Sequence, residues 1–535
     1  MSELIPPLNV IESFASHNFS VFDFFIKRVF ALESAPLVEF EYEALSWKES
    51  AHMVEKACSW LISKGVKEGD RIGLMAYNHP STVVLFIACA KLGIVIVPCN
   101  PDFAANEAKY IFEHAQVIAV ICSTEVQAKV LDATKEMSTK PWIALNDQTK
   151  ESTEPGLRAL WLECPTVEHE QVGQANSTCL IIYTSGTTGF PKGVMHSQRS
   201  YLLTAEAFVQ RMFLQPRERV MCVLPLFHIN ALMYSMGGSM ACGGTLILIK
   251  KFSASQFWHQ AAKTRATEVN VIMSAAAILA RRPLSEFNPE HCIKKMFLAP
   301  LNQDLKDTFT QRFGVNTLIE CYGMTEIPGV LSNPFLGPHK IGSMGMISAH
   351  PSPQIERPQV IILDDDGQEV KLGEVGEIAV KTPTIMQGYY KDPEQTQQSF
   401  SNGWFLTGDL GFKDKDDFFF FFTRKKDIIR RKGENLSGAE IDNAISIHPD
   451  VSECASIGVP SDLGDEEVLV AVVARSGSNP TPQDIMTHAK TQLSALKLPR
   501  YIVMVDSLPH TGSMKIAKFK LKPATELLKR ATDFS

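Results

Sequence analysis

The chain lacks several features that would each have pointed to a different class of protein. It has no excess of basic residues: 52 Lys and Arg stand against 59 Asp and Glu, a formal net charge of −7. A general nucleic-acid binder shows the opposite balance, so none is expected as a partner. It has no C-x-x-C pair; its 11 cysteines are scattered from Cys58 to Cys454. That spacing supports neither a zinc site nor a redox dithiol, and predicts inert, buried thiols of a reducing compartment. The opening Met1-Ser-Glu-Leu-Ile-Pro-Pro has no basic stretch followed by an apolar one, so no secretory signal is expected and the cytoplasm is the expected location. There is no internal repeat. One stretch, Met221 to Ile249, lacks Lys, Arg, Asp and Glu over a length sufficient to span a bilayer. Pro225, His228 and the pairs Gly237-Gly238 and Gly243-Gly244 interrupt it. It reads as a strand end, a buried helix and a strand from Thr245 to Ile249, and no transmembrane segment is expected.

What remains is an ordinary globular composition, 45% hydrophobic and 21% charged, over 535 residues. That length is too great for one core and predicts at least two domains. In the first third, Ser81 to Lys91 reads as a helix, and Gly93 to Pro98 and Val117 to Cys122 as strands. Such alternation predicts an α/β fold with parallel strands and crossover helices. Lys150 to Gly173 reads as an irregular connection. Gln359 to Val380 is strand-rich, with a hairpin signal at Asp366-Gly367 and no boundary signal near its start. Phe418 to Phe422 predicts a strand buried on both faces. A basic stretch, Thr423 to Glu434, and a helix from Ser437 to Ile447 come next. The main boundary is placed at Lys426, giving domains 1–425 and 426–535.

The strongest local pattern is Tyr183-Thr-Ser-Gly-Thr-Thr-Gly-Phe-Pro-Lys192-Gly, after a strand at Leu180 to Ile182 and before an expected helix. Gly186, Gly189 and Gly193 let the backbone approach a ligand and present N–H groups. Thr184, Ser185, Thr187 and Thr188 add hydroxyls, and Lys192 adds a point charge suited to phosphate. The run is not a Walker A motif, since Pro191 stands five residues after Gly186, and it contains no G-x-G-x-x-G dinucleotide fingerprint. Gly237-Gly-Ser239-Met-Ala241 lacks the final glycine of a hydrolase elbow.

With this loop as its first landmark, the chain from about Ser46 to Lys522 resembles the superfamily of acyl-CoA synthetases, peptide-synthetase adenylation domains and luciferases. The other landmarks occur in the family's order. Leu224-Pro-Leu-Phe-His228 resembles the segment lining the acyl pocket. Tyr322-Gly323-Met-Thr325-Glu326 resembles the motif in which tyrosine stacks on adenine, threonine meets the α-phosphate and glutamate holds Mg²⁺. Gly403-Trp-Phe-Leu-Thr-Gly-Asp409 carries the ribose-binding aspartate, Arg424 resembles a second ribose contact, and Lys426 sits at the hinge position. Gly433-Glu-Asn resembles the loop lining the pantetheine tunnel. Leu508-Pro-His-Thr-Gly-Ser-Met-Lys515 resembles the catalytic-lysine motif, with Gly512 in place of its proline and Met514 in place of its glycine. Lys515 is preferred over Lys518 and Lys520 because Ile516 comes directly after it. Leu298-Ala299-Pro300-Leu301 replaces the Gly-Gly-Ala-Pro of many relatives.

The resemblance implies a large, multi-subdomain N-terminal adenylating domain hinged to a small α+β C-terminal domain. It implies ATP, Mg²⁺ and CoA, and a two-step reaction through an acyl adenylate, with a homodimer as an open expectation. His228 stands where peptide-synthetase domains hold an α-ammonium with aspartate, which argues against an α-amino acid. Among family branches, crotonobetaine/carnitine-CoA ligases are the nearest in likeness, and Ala299 with Ser274 to Leu279 would equally wall a pocket for a plain fatty acid. An acyl-AMP ligase loading a separate carrier protein, and a non-catalytic nucleotide-binding scaffold, are the alternatives.

Overall fold

A computed structural model describes residues 4–41, 43–149, 154–184, 191–431, 434–461, 466–510, 516–522 and 524–534. The chain divides into two compact units: residues 1–359 with 381–400, and residues 360–380 with 401–535.

The first unit holds two seven-stranded sheets. One runs, edge to edge, Thr317–Ile319, Lys295–Ala299, Glu268–Ile272, Arg219–Cys222, Thr245–Leu248, Pro36–Phe40 and Glu43–Ser46, and only the last pairing is antiparallel. The other is parallel through Thr178–Thr184, Val95–Pro98, Arg71–Met75, Ala119–Cys122 and Trp142–Leu145. Lys192–Ser197 and Gly388–Tyr389 then extend it antiparallel. Strands buried on both faces need continuous apolar runs, which Val95–Pro98 and Ala119–Cys122 supply with every residue buried. The helix Pro80–Leu92 is apolar all round and wholly buried from Ser81 on. Pro80 opens it, where a missing N–H costs nothing, and Gly93 closes it at φ +71. Ser46 and Glu49 form a capping box at Trp47–Ser63.

The second unit contains a five-stranded sheet built on Trp404–Lys413, a two-stranded ribbon of Ile428–Arg431 and Glu434–Ser437, and a four-stranded sheet. In that last sheet, Val451–Pro460 and Glu466–Ala474 pair antiparallel, and Tyr501–Met504 joins parallel. The helices Gly438–Ser446 and Pro482–Gln492 bury Ile441, Ile445, Ile485 and Met486 in its core.

Met221–Ile249 forms the expected strand, buried helix and strand, with a π-helical stretch at Asn230–Met236. Among the described residues, no helix is long and apolar enough to cross a membrane. The 11 cysteines are free, and eight are buried.

By contacts the chain passes from one unit to the other after Gln359, Val380 and Phe400, and Lys426 lies within the second unit. Three sequence expectations are corrected. The connection after Lys150 includes the helix Leu157–Leu162, which seats Trp161 in the core at 1% exposure. The phenylalanine run is fully buried only at its start: Phe418 and Phe419, on opposite faces, are buried, while Phe421, on the same face as Phe419, is 41% exposed. Lys192 opens a strand rather than leading directly into a helix; the helix Gln198–Met212 comes only after it. The strand prevails because Val194 and His196 pair across with Ile182 and Leu180 and bury their side chains.

Candidate active site

In the first unit the phosphate-loop sequence joins two antiparallel strands, with Thr184 paired to Lys192 at its roots. Ser185, Gly186, Thr187, Thr188 and Gly189 lie outside the described residues. The roots are held by one helix, Ala105–Ala115. Tyr110 donates its hydroxyl to the Pro191 carbonyl at 3.1 Å. One turn on, His114 Nδ1 lies 2.7 Å from the Tyr183 hydroxyl. Burial keeps the Tyr183 phenol protonated, and burial with Lys391 lowers the His114 pKa, so the phenol donates to a neutral imidazole.

Lys192 donates to Gln395 Oε1 at 2.6 Å, and its Nζ lies 5.3 Å from the centre of the Tyr389 ring. The Tyr389 hydroxyl donates to Glu326 Oε1 at 2.9 Å, and the Met386 N–H donates to the Glu326 carbonyl. Glu326 is 6% exposed. The cation and the carboxylate of the expected site are thus held by one short segment, 386–395.

The Thr325 carbonyl meets His196 Nε2 at 2.7 Å. His196 is fully buried, and burial lowers its pKa to about 4 against the opposing effect of that carbonyl. A neutral ring therefore uses its single N–H on Nε2 to hold Thr325. Tyr322 and Gly323 lie on the strand Cys321–Met324, paired with Ile327–Ser332. A Cβ on Gly323 would meet the Gly329 nitrogen at 2.4 Å, so the hairpin closes only around glycine.

Tyr322, Ala299 and His228 lie at or beyond the carboxyl ends of three parallel strands of the same sheet: Thr317–Ile319, Lys295–Ala299 and Arg219–Cys222. Open parallel sheets bind ligands along that edge. Glu320, directly after the strand Thr317–Ile319, accepts from the Leu301 N–H, and burial raises its pKa to about 7.

In the second unit, Asp409 and Arg424 stand directly opposite on paired strands, and Arg424 Nε lies 2.8 Å from Asp409 Oδ1. Asp409 is 2% exposed. Lys426 is exposed in the turn Lys425–Asp427. Gly433 and Lys515 lie outside the described residues. The flanks of 511–515 are described: His510 bridges to Ile516, and the Ala517 N–H donates to the Pro509 carbonyl at 2.7 Å. Lys518 is held by Asp442 at 2.5 Å, so this lysine is occupied in joining the loop's base to the helix Gly438–Ser446.

A magnesium ion fits what is present. Glu326 offers a hard carboxylate oxygen, and among the described residues no cluster of three or more His, Cys, Asp or Glu side chains could hold a metal. A small cation there would draw its remaining oxygens from phosphate and water, the usual pattern for magnesium.

Tyr110, His114, His196, Tyr389 and Gln395 escaped the sequence reading. Only Gly388-Tyr-Tyr-Lys-Asp-Pro393 left a trace, as a glycine, an Asp N-cap and a proline at a helix start.

A family model described as AMP-binding enzyme matches residues 28–390, and one described as AMP-binding enzyme C-terminal domain matches 440–515. The sulfoacetate–CoA ligase of Cupriavidus necator is 31% identical over 460 residues, 85% of this chain and 88% of that protein. A crotonobetaine/carnitine–CoA ligase of Salmonella typhimurium is 28% identical, over 90% of this chain and 93% of that one. The crystal structure of ATP-bound MatB from Rhodopseudomonas palustris superposes with a TM-score of 0.83 at 25% identity, covering 96% of this chain and 99% of that one. The chain belongs to the AMP-binding enzyme family, in its acyl-CoA synthetase branch, and is an AMP-forming acid–thiol ligase using ATP and CoA.

Proposed function

We propose that the enzyme activates a carnitine-like or alkyl carboxylic acid in two steps. The acid's oxygen attacks the α-phosphorus of ATP, and the bond to pyrophosphate breaks. Negative charge gathers on phosphate oxygens, where Thr184, Lys192 and Lys515 meet it with hydroxyl and ammonium donors, alongside the N–H groups and hydroxyls of residues 185–189. Thr325 contacts the α-phosphate, Tyr322 and Gly323 flank the adenine, and the Asp409 carboxylate accepts from the ribose hydroxyls beside Arg424. Glu326 holds Mg²⁺, which neutralises phosphate charge when bound. His228 and Ala299 line the acyl pocket. In the second step the CoA sulfur attacks the acyl carbon past Gly433, the acyl–oxygen bond breaks, and AMP leaves. Lys426 is proposed as the hinge between the two reactions.

The arrangement of Lys192 and Glu326 around Tyr389 carries this reading most directly, because it gathers a cation and a hard anionic ligand beside the roots of the phosphate loop. The relatives' acids, sulfoacetate and crotonobetaine or carnitine, support a small non-amino substrate. The test is ATP–pyrophosphate exchange across short charged acids, betaines and fatty acids, with and without CoA turnover. Exchange with a betaine or alkyl acid, then CoA-dependent AMP release, is the expected result. Exchange with α-amino acids alone, or none with any acid, would overturn it.

A further inference from the structure

We propose that Tyr389 is a positioning residue for adenylation, holding the Glu326 carboxylate where the reaction needs it. The inference rests on Glu326 being the carboxylate that holds Mg²⁺. Tyr389 is fixed from three directions. Its backbone pairs with Val194, two residues beyond Lys192. Its N–H donates to Thr396 Oγ1 at 2.9 Å, and that hydroxyl donates onward to the Asp392 carbonyl at 2.8 Å. The preceding Gly388 has φ +135, and a Cβ there would press on the Thr396 methyl at 3.0 Å, so the turn that aims the ring favours glycine. The phenol so placed gives its single proton to Glu326 Oε1.

A glutamate side chain has three rotatable bonds, and an unpositioned carboxylate must be ordered each time a substrate binds. Burial also makes an unsatisfied carboxylate costly. A rigid aromatic donor reduces both penalties with a hydrogen bond to a charged acceptor, the stronger kind. The Met386 N–H holds the Glu326 backbone from the same segment. Gln395, six residues on, holds Lys192. One strap, 386–395, thereby sets both charges.

Y389F is the test, since it keeps the ring and removes the proton donor. The exchange kcat should fall about tenfold or more, the size expected for one hydrogen bond to a charged group. The KM for the acid should stay near wild type, the Mg²⁺ concentration at half-maximal rate should rise, and Mg·ATP binding by calorimetry should weaken. In a double-mutant cycle, Y389F should cost nothing further once Glu326 is Gln. Additive losses, or a wild-type Y389F, would overturn the proposal. A wild-type E326Q would instead overturn the assignment of Glu326 itself. If Y389F fails to fold, E326D is the second arm: it withdraws the carboxylate by one methylene from an intact Tyr389 and should show the same loss, whereas wild-type kinetics would overturn the proposal.

Discussion

Lys515 and Lys518 stand three residues apart, and different roles are expected of them. Lys518 is committed to Asp442, so replacing it should act on stability. Lys518→Ala is expected to lower Tm and to slow both half-reactions alike. Lys515→Ala is expected to slow adenylation by a factor on the order of 10²–10³, the usual loss for one transition-state donor. It should still convert a supplied acyl adenylate and CoA at near wild-type rate. Rapid-quench measurement of each half-reaction checks the pair. At His196 the expected effect is on pH. Its folded pKa of about 4 lies below its ordinary 6.5, so the unfolded chain binds more protons between those values. Its contribution is therefore complete above pH 6.5 and is lost as pH falls toward 4, by about 3 kcal/mol at most. Half-buried His79, also near 4, adds in the same direction. Glu320, raised to about 7, acts oppositely, its contribution being lost as pH rises from 4.5 to 7. Tm against pH for wild type and His196→Gln isolates the one residue: the variant should lose stability less steeply between pH 6.5 and 4.

At the level of elements, the helix Ala105–Ala115 governs both roots of the phosphate loop through two side chains one turn apart. Tyr110→Phe removes one of those hydrogen bonds and keeps the ring. The KM for ATP should rise about fivefold, as for one neutral hydrogen bond, with the KM for the acid unchanged. Initial-rate measurements with each substrate varied in turn decide it. Neither this helix's function nor that of His196 or Tyr389 was legible in the sequence, and the reason is separation. Tyr110 meets a partner 81 residues away, Tyr389 one 63 away, His196 one 129 away and Gln395 one 203 away. No periodicity encodes such pairings. What was legible was local: the buried helix after Pro80, the β-branched strands and the Ser437-capped helix. Phe418 to Phe422 misled because an apolar run does not reveal where along its strand the cover is interrupted, as it is at Phe421. The lysine after the phosphate loop misled because glycine and threonine signal a turn without specifying whether a strand or a helix lies beyond it.

For the whole molecule, the two compact units are discontinuous in sequence: 360–380 joins the later unit and 381–400 returns to the earlier. The composition change near Lys426 lies inside the later unit. The hinge proposed there is a separate matter, since a hinge needs only a backbone free to change its angles. Lys426→Pro fixes φ and removes an N–H, and should slow at least one half-reaction well below wild type. Normal rates in both would end the assignment.

The returning segment bears on how the polypeptide can be cut. Gly388–Tyr389 covers the outer side of Lys192–Ser197, which would otherwise be the last strand of its sheet. A fragment ending at residue 359 would expose that strand's unpaired N–H and C=O groups as a template for other chains. A fragment reaching residue 400 would keep them capped. By light scattering at equal concentration, the shorter fragment should self-associate and the longer one should do so far less. Twenty residues that look like a detour would then act as a guard against aggregation from the moment they emerge in synthesis, the strand standing uncapped until then.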